Sequence, residues 1–354
     1  MKLKLLIIIF SIPFLKTKAQ NIDLYVGTFS TEGIYKYTFN TTTGNLSNKT
    51  LAIKTDNPTF ITYSKDRKYI YSVNRSSDTT NHDFVSALKI NNDGKLTLLN
   101  SVDSHGKGPC HISINTAGNK IVISTYFGGT ASILNINNDG TLNEASQTFN
   151  HNSKTEKSHA HSAQFYNDNL FVSDLGRNAI YQYKLKSNNY ILKSETIVKM
   201  KGNPGPRHFS LTKDGQYIYI INEYGNSITS VKKTDSGFKT IDEDSTLDKN
   251  YNGESYCADI HLSNDERFLY GSNRGENSIA VFKRNLKTGT IVKIQNISVQ
   301  GNWPRNFTID PTGKFLLVAN RKSNNIAVFK IHPKNGTLTF LHKEKACTPV
   351  CLLF

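Results

Sequence analysis

Residues 205–222 read GPRHFSLTKDGQYIYIIN: an apolar alternating run, a turn at Asp214-Gly215, and a second alternating run that ends at Asn222. The same pattern occurs six times at intervals of 47–51 residues, and its second run ends at Asn74, Thr125, Asp174, Asn222, Asn273 and Asn320. Apolar residues that alternate in steps of two are typical of β-strands. A self-similar period of this length indicates a repeat fold, in which every repeat is one supersecondary unit.

Each repeat holds four short alternating runs and no convincing helical segment, which is typical of one four-stranded blade. Glycine and asparagine supply the positive φ of tight hairpins in turns such as Asn92-Asp93-Gly94. Residues 349–354 match only the first run of a repeat, and residues 23–53 match only the other three. The sequence therefore predicts an all-β, seven-bladed β-propeller with four antiparallel strands per blade. Pairing of the N- and C-terminal segments is expected to close the ring and remove the open sheet edge.

The first nineteen residues differ from the repeats. Lysines at positions 2 and 4 precede an apolar stretch over residues 5–15, and two further lysines and Ala19 follow it. This is the layout of a secretory signal peptide, and the stretch is shorter than the roughly 20 residues that a membrane span needs. We expect a signal peptide at 1–19 and one propeller domain at 20–354, exported to the periplasm or secreted. An uncleaved anchor is the alternative, and no stable membrane insertion is expected.

The charge of the chain favours a small anionic partner. Its 354 residues carry a formal charge of +15, and four of the lysines lie in the predicted leader. The other basic residues are spread over strands and hairpins, and no helix-based DNA-reading motif occurs. We therefore expect a small anionic substrate and no nucleic acid as partner, and we expect the protein to be a monomer.

The four cysteines do not form a metal signature. Cys110, Cys257, Cys347 and Cys351 lack the close C-x₂-C spacing of a zinc site, and they are too few for a disulfide framework. Buried free thiols are expected, with one disulfide as the alternative in an oxidising compartment.

The repeat also indicates where a site would form. Strands one and two of a blade are antiparallel, so the start of strand one and the end of strand two lie at the same mouth of the central channel. Strand one begins with Thr59, Cys110, His161, Arg207, Ala258 and Arg305, followed in turn by Phe60, His111, Ser162, His208, Asp259 and Asn306. Directly after strand two come Arg75, Tyr126, Leu175, Glu223, Arg274 and Arg321. Such charged residues are almost never buried unpaired, so we expect them to hold an anion or one another.

These residue types support acid–base hydrolysis or ring opening of an electrophilic, anionic substrate. Arginines bind a carboxylate or phosphate through paired hydrogen bonds. His161 or Glu223 would activate water, and an arginine would stabilise the developing oxyanion. We expect the substrate to be bound by Arg305, His111, His208, Arg75 and Arg321.

Structural roles are the alternative for the same residues. His111 and His208 could tie the backbones of neighbouring blades, and Arg75 and Arg321 could pair with acidic residues on the rim. Glu223 could serve only as the salt-bridge partner of a neighbouring arginine. These alternatives remain open at the level of sequence.

A metal site at His159 and His161 is a further alternative. An H-x-H pair on a strand places both imidazoles on one face, as a metal site requires. No third ligand follows at a fixed spacing. We therefore expect no metal, and no cofactor is expected either.

An ordered set of short motifs extends along the chain: YVGT (25–28), HAHS (159–162), SDLG (173–176), GPRH (205–208), NE (222–223), SNRG (272–275), PRNF (304–307) and DPTGK (310–314). With these motifs, residues 23–354 resemble the seven-bladed propeller lactonases, which comprise bacterial 6-phosphogluconolactonases and fungal carboxy-muconate lactonising enzymes. The resemblance implies hydrolysis of a sugar-acid lactone without a required metal. From the muconate branch it implies a catalytic group of His161, Glu223, Arg207 and Arg274.

Two features depart from that family. Its phosphorylated substrate belongs to the cytoplasm, whereas this chain has a predicted leader, so an unphosphorylated sugar lactone is an alternative substrate. The repeat with Ala258 and Asp259 has no basic residue at the start of strand one, which makes the predicted anion-binding site asymmetric. The rival function is a non-catalytic secreted propeller that binds carbohydrate or protein. A quinone-dependent dehydrogenase is weaker, since its tryptophan-rich repeats are missing and the chain has only Trp303.

Overall fold

The computed structural model describes residues 20–78, 82–200 and 202–354. All regular structure in these ranges is β-strand, arranged as seven antiparallel sheets of four strands each. The prediction of a seven-bladed β-propeller is thereby confirmed. The predicted signal peptide at 1–19 lies outside the described residues.

The strands follow the chain blade by blade. The closing blade contains β1 (Asn21–Thr28), β2 (Ile34–Asn40) and β3 (Leu46–Ile53), and blade 1 contains β4 (Pro58–Tyr63), β5 (Tyr69–Asn74), β6 (Phe84–Ile90) and β7 (Leu96–Asp103). Blade 2 contains β8 (Pro109–Ile114), β9 (Lys120–Thr125), β10 (Thr130–Ile136) and β11 (Leu142–Asn150), and blade 3 contains β12 (Ala160–Tyr166), β13 (Asn169–Asp174), β14 (Ala179–Lys186) and β15 (Asn189–Lys199).

The second half of the ring repeats this arrangement. Blade 4 contains β16 (Pro206–Leu211), β17 (Tyr217–Asn222), β18 (Ser227–Thr234) and β19 (Gly237–Ser245), and blade 5 contains β20 (Tyr256–Leu262), β21 (Phe268–Arg274), β22 (Ser278–Arg284) and β23 (Ile291–Ser298). Blade 6 contains β24 (Pro304–Ile309), β25 (Phe315–Asn320), β26 (Asn325–Ile331) and β27 (Leu338–Lys345), and β28 (Pro349–Leu353) completes the closing blade.

The two ends of the chain share the closing blade. Its strand order is β28-β1-β2-β3, and β28 pairs antiparallel with β1 in a register that sets Tyr25 opposite Leu353 and Gly27 opposite Cys351. The pairing confirms the predicted closure and covers the edge that β1 would otherwise expose.

The hydrophobic core lies between adjacent blades. Leu24 and Phe39 of the closing blade, for example, pack in one buried cluster with Leu317 and Val328 of blade 6. Every residue of β25 is buried, whereas the outer strand β27 alternates between exposed and partly buried positions after its buried first residue. Middle strands that are covered on both faces therefore have continuous apolar sequences, and outer strands have one face that is more exposed to solvent.

Strand one is irregular in all seven blades, at its start. The pairing with strand two skips Thr59, Cys110, His161, Arg207 and Arg305 in five blades, Ala258 and Asp259 in blade 5, and Val350 in the closing blade. Such a β-bulge leaves the extra residue out of the ladder and re-aims its side chain. The bulges therefore lie at the repeat position that the sequence marks as functional.

The cysteines are free thiols in this structure. Cys110, Cys257 and Cys351 are buried, and Cys347 is half-buried. Nowhere in residues 20–78, 82–200 and 202–354 is there a helix long and apolar enough to cross a membrane.

Candidate active site

The nine predicted site residues occupy three repeat positions near one channel mouth. Three of them are the bulge residues His161, Arg207 and Arg305. Four follow or end strand two, namely Glu223, Arg274, Arg75 and Arg321. The remaining two, His111 and His208, come directly after a bulge. A backbone hydrogen bond holds the second group, because the residue after strand two donates to the segment that precedes strand one. The Glu223 amide, for example, donates to the Gly205 carbonyl at 2.7 Å.

Glu223 lies between two buried arginines. Its Oε2 is 3.0 Å from Arg207 Nε and 2.9 Å from Arg274 Nη2. The Arg207 contact is an ion pair without hydrogen-bond alignment, since Nε–H of Arg207 has no aligned acceptor. The Glu223 side chain is 13% exposed and the Arg207 side chain only 2%. The structure therefore brings three of the four predicted catalytic residues into direct contact.

Backbone carbonyls orient the two guanidinium groups. Arg274 donates from Nε to the Tyr256 carbonyl at 3.2 Å and from Nη2 to the Cys257 carbonyl at 2.7 Å. Arg207 donates from Nη1 to the Ala258 carbonyl. Fixed donors of this kind are preorganised to meet negative charge without reorganisation.

The ionisation of these groups follows from their mutual contacts. Burial acts to raise the pKa of Glu223, but the charges of Arg274 and Arg207 outweigh it and hold that pKa below its ordinary value. Burial and the nearby Arg274 lower the pKa of Arg207 to about 10. At neutral pH the group therefore consists of one carboxylate and two guanidinium cations.

Arg305 lies at the mouth without a partner for its charge in the part of the chain that the structure describes. Within the described residues its guanidinium makes no ion pair and donates no hydrogen bond to the protein, although it is half-buried at the mouth. Burial lowers its pKa well below the ordinary value, and Arg207, Arg274 and Arg75 lower it further. A cation in that position favours an anion from outside the chain.

His161 is buried beside this basic group. Its Nδ1 is 3.8 Å from the Cys110 thiol, and its ring packs edge-on against Tyr126 and His208 with centroid distances of 5.6 and 5.2 Å. Burial, and then the charge of Arg207, hold its pKa well below the ordinary value. His161 is thus a neutral imidazole at pH 7, and one of its ring nitrogens carries a lone pair that can accept a proton.

The other two histidines have protein partners. His208 contacts Asp259 through Nδ1 at 2.7 Å and Arg207 through Nε2 at 3.2 Å. His111 packs on the Phe60 ring at 4.6 Å, and its Nδ1 is 3.4 Å from the Ala163 amide. These contacts agree with the structural alternative for both residues, and substrate binding by them stays a prediction.

Arg75 and Arg321 form the outer rim. The Arg321 guanidinium lies 3.9 Å from the centre of the Phe29 ring, and Arg75 lies 5.6 Å from the rings of Phe29 and Phe127. Arg75 also donates to the carbonyls of residues 108 and 109 at 3.4 and 3.3 Å. In the part of the chain that the structure describes, neither arginine pairs with a carboxylate, so the acidic partners that the sequence left open are not found there.

An aromatic collar borders the basic group, and it was not predicted from the sequence as a feature of the site. Its members follow strand two or lie just before strand one: Phe29, Tyr126, Phe127, Tyr224 and Trp303. The guanidinium of Arg274 lies 5.4 Å from the Trp303 ring, and the Tyr126 and Tyr224 hydroxyls are 3.4 Å apart. The signal was present, because Phe29 and Tyr126 occupy the same repeat position as Glu223.

The H-x-H motif is engaged with protein groups. His159 stacks on Tyr126 at 4.5 Å and contacts the Tyr126 carbonyl through Nδ1 at 2.8 Å. Among residues 20–78, 82–200 and 202–354 no three His, Cys, Asp or Glu side chains are grouped as metal ligands would be.

Comparison with known proteins agrees with this architecture. The family described as "Lactonase, 7-bladed beta-propeller" matches residues 23–354. A 6-phosphogluconolactonase of Bacillus subtilis is 32% identical over 301 residues, which cover 81% of this chain and 85% of that protein. A 6-phosphogluconolactonase of Formosa agariphila is 34% identical over 310 residues, which cover 82% of this chain and 87% of that protein.

A solved structure gives the same result for the fold. The periplasmic gluconolactonase of Pseudomonas aeruginosa superposes with a TM-score of 0.86 at 24% identity, covering 94% of this chain and 98% of that one. The family match extends over nearly the whole described chain, and the two 6-phosphogluconolactonases exceed 30% identity over four-fifths of it. The chain therefore belongs to the seven-bladed β-propeller lactonase family.

Proposed function

We propose that this protein hydrolyses a sugar-acid lactone at the mouth of its central channel, as the 6-phosphogluconolactonases among its relatives do by name. The observation that carries the proposal is the Glu223 carboxylate held between Arg207 and Arg274, with Arg305 beside it and unpaired. A scaffold without chemistry gains nothing from an unpaired, half-buried guanidinium, because the group only costs stability there.

The proposed reaction is addition of water to the lactone carbonyl. A neutral His161 or the Glu223 carboxylate takes a proton from water as its oxygen bonds to the carbonyl carbon. The carbonyl oxygen becomes an oxyanion that Arg207 or Arg274 stabilises through N–H donors that are already in place. The ring C–O bond then breaks, its oxygen takes up a proton, and the product is an open-chain hydroxy acid.

The charge at the mouth selects an anionic lactone. Five arginines, Arg75, Arg207, Arg274, Arg305 and Arg321, lie at this mouth with the Glu223 carboxylate. Burial lowers the pKa of Arg305, and the charges of Arg207, Arg274 and Arg75 lower it further. A phosphate or carboxylate substituent would complete the pairing of Arg305. Arg75 and Arg321 would contact the same substituent from the rim.

We propose that the protein acts outside the cytoplasm as a monomer. The basic, apolar and small-residue layout of residues 1–19 supports export. N-terminal sequencing of protein recovered from the periplasm or medium tests this, and a mature start near residue 20 is the expected result. Gel filtration of the same sample tests the oligomeric state.

Lactone hydrolysis is tested by proton release from 6-phosphogluconolactone and gluconolactone, with spontaneous opening subtracted. Glu223→Gln and Arg207→Ala should each lower kcat/KM by at least about a hundred-fold. Arg267→Ala is the matched control, since Arg267 pairs with Asp265 at the opposite end of the channel and should leave activity unchanged.

The two substrates separate the remaining possibilities. Preference for the phosphorylated lactone indicates that the unpaired arginines bind phosphate, and preference for gluconolactone indicates an unphosphorylated sugar lactone. Rates at the spontaneous level for both substrates would contradict the proposal and favour a non-catalytic carbohydrate-binding propeller, whose collar of Phe127 and Tyr224 would then be the binding surface.

A further inference from the structure

Asp259 is a buried carboxylate at the start of strand one of blade 5, where the repeat has no basic residue. Its Oδ1 contacts His208 Nδ1 at 2.7 Å, and its Oδ2 contacts His261 Nε2 at 3.1 Å and Asn306 Nδ2 at 2.6 Å. The amides of Ile260 and residue 307 donate to it as well, at 3.0 and 3.3 Å. The side chain is only 4% exposed, so Asp259 is a fully saturated acceptor.

These contacts assign the tautomer of His208. A carboxylate that only accepts hydrogen bonds requires a proton on His208 Nδ1. The neutral imidazole then has a lone pair on Nε2, and that lone pair faces Arg207 Nη1 at 3.2 Å. A guanidinium has donors only, so Arg207 donates to His208 and the arrangement is consistent in both directions.

The chain of contacts ends at the proposed catalytic group. Arg207 Nη1 is shared by His208 and the Ala258 carbonyl, and Arg207 Nε lies 3.0 Å from Glu223. With its Nη1 edge fixed in this way, the guanidinium has little freedom to rotate away from Glu223. Asn306 extends the support to the closing strand, because its Oδ1 accepts from the Leu352 amide at 2.8 Å.

We infer that His208, with Asp259 behind it, is a positioning residue that sets the orientation of Arg207 against Glu223 and the substrate. Its role in turnover rests on the proposed function, whereas the tautomer and the Asp259–His208–Arg207 chain do not. The fold does not require this pair, since the same repeat position is occupied by Phe60 in blade 1 and Ser162 in blade 3. Direct substrate contact by His208 is the competing account.

The first test is the tautomer, which needs no activity. ¹⁵N-histidine NMR of the wild-type protein, with His208→Gln to assign the signal, should give a His208 ring protonated at Nδ1 with a strongly deshielded hydrogen-bonded proton. Asp259→Asn should shift that proton upfield. A ring protonated at Nε2 would overturn the inference, even in a protein without lactonase activity.

The second test separates positioning from substrate contact. His208→Gln can place its side-chain oxygen where Nε2 accepts from Arg207, whereas His208→Asn is shorter and reaches only Asp259. We expect His208→Asn to lower kcat about ten- to a hundred-fold, as for a lost hydrogen bond to a charged group, with KM changed less than about three-fold. His208→Gln should recover most of that loss.

Equal losses in the two variants, or a rise in KM without a change in kcat, would contradict a positioning role. Thermal melting of both variants should remain cooperative, and this verifies the fold. If one variant does not fold, Asp259→Asn tests the same chain, since it should lower kcat in the same direction. Inactive wild-type protein would refute the proposed function and leave the NMR test of the chain intact.

Discussion

The arginines at the mouth differ in the protein partners that compensate their charge. Arg207 and Arg274 share the Glu223 carboxylate and donate to backbone carbonyls, so their burial is compensated. Arg305 receives nothing of this kind within the described residues and is also repelled by its basic neighbours. A half-buried cation without a partner destabilises the folded state. Folding gains nothing from this position, and the proposed function gives Arg305 a role in ligand binding.

Removal of Arg305 should consequently improve stability while it impairs binding. Arg305→Met keeps the length and apolar packing of the side chain and removes the unpaired charge. We expect the free energy of unfolding to rise by about 1 kcal/mol, and KM for an anionic lactone to rise about ten-fold or more. Urea unfolding and initial-rate kinetics measure the two effects.

Arg284→Met is the matched comparison. Arg284 is more deeply buried than Arg305, but its Nε donates to the Tyr219 hydroxyl at 2.6 Å and its Nη1 lies 3.9 Å from Glu266. Its replacement should lower the free energy of unfolding by about 1–3 kcal/mol. Destabilisation of Arg305→Met to the same extent would contradict the account of Arg305 as a binding group.

At the scale of the strand, the bulge explains both what the sequence could predict and what it could not. The repeat predicted which positions meet at the mouth, because antiparallel pairing fixes which strand ends are neighbours. Alternation alone would place Arg207 and His208 on opposite faces, since they are consecutive. In the structure their side chains are 3.2 Å apart, because the bulge at Arg207 breaks the alternation.

For the same reason, the pairing of side chains could not be predicted from the repeat pattern. From the sequence, the strand with Asp259 was expected only to lack a basic residue for anion binding. In the structure, the Asp259 carboxylate contacts the rings of His208 and His261. Only the three-dimensional contact reveals such a partner, because Asp259 and His208 are 51 residues apart. The choice between His161 and Glu223 as base likewise depends on a substrate pose.

Adjacent blades are also joined by a recurring tyrosine. A tyrosine in the middle of strand two donates its hydroxyl to the carbonyl of a turn glycine in the following blade: Tyr25 to Gly94, Tyr71 to Gly140, Tyr219 to Gly289 and Tyr270 to Gly336. All four bonds are buried. They link residues some seventy positions apart and thereby join each blade to the next.

Loss of these hydroxyls should be additive and graded. Tyr71→Phe and Tyr270→Phe should each lower the free energy of unfolding by about 1 kcal/mol, and the double variant by about the sum, because the two sites are distant. Tyr219→Phe should cost more, since it also deprives Arg284 of an acceptor. Urea titration measures the values, and a Tyr219→Phe effect no larger than that of Tyr71→Phe would contradict this ranking.

The ring as a whole encloses three neutral histidines in a basic mouth. Burial lowers the pKa values of His111, His161 and His208, that of His208 to about 4, and nearby charges add to the effect. In the unfolded chain each imidazole titrates near 6.5. The unfolded state therefore binds protons first as the pH falls, and the folded state loses stability. His261 opposes this in part, because Asp259 raises its pKa although burial acts against it.

Acid destabilisation should therefore begin near pH 6.5, above the range in which the carboxylates titrate. Each of the three histidines contributes up to about 1.4 kcal/mol per pH unit to the slope between pH 6.5 and its folded pKa. His111→Gln should remove about one proton from that slope, as measured by urea unfolding at half-unit pH steps. His332→Gln, on an exposed hairpin, is the matched control for the effect of the substitution itself. A slope in His111→Gln equal to that of the wild type would mean that His111 is protonated in the folded protein, and the enclosed neutral cluster would then be wrong.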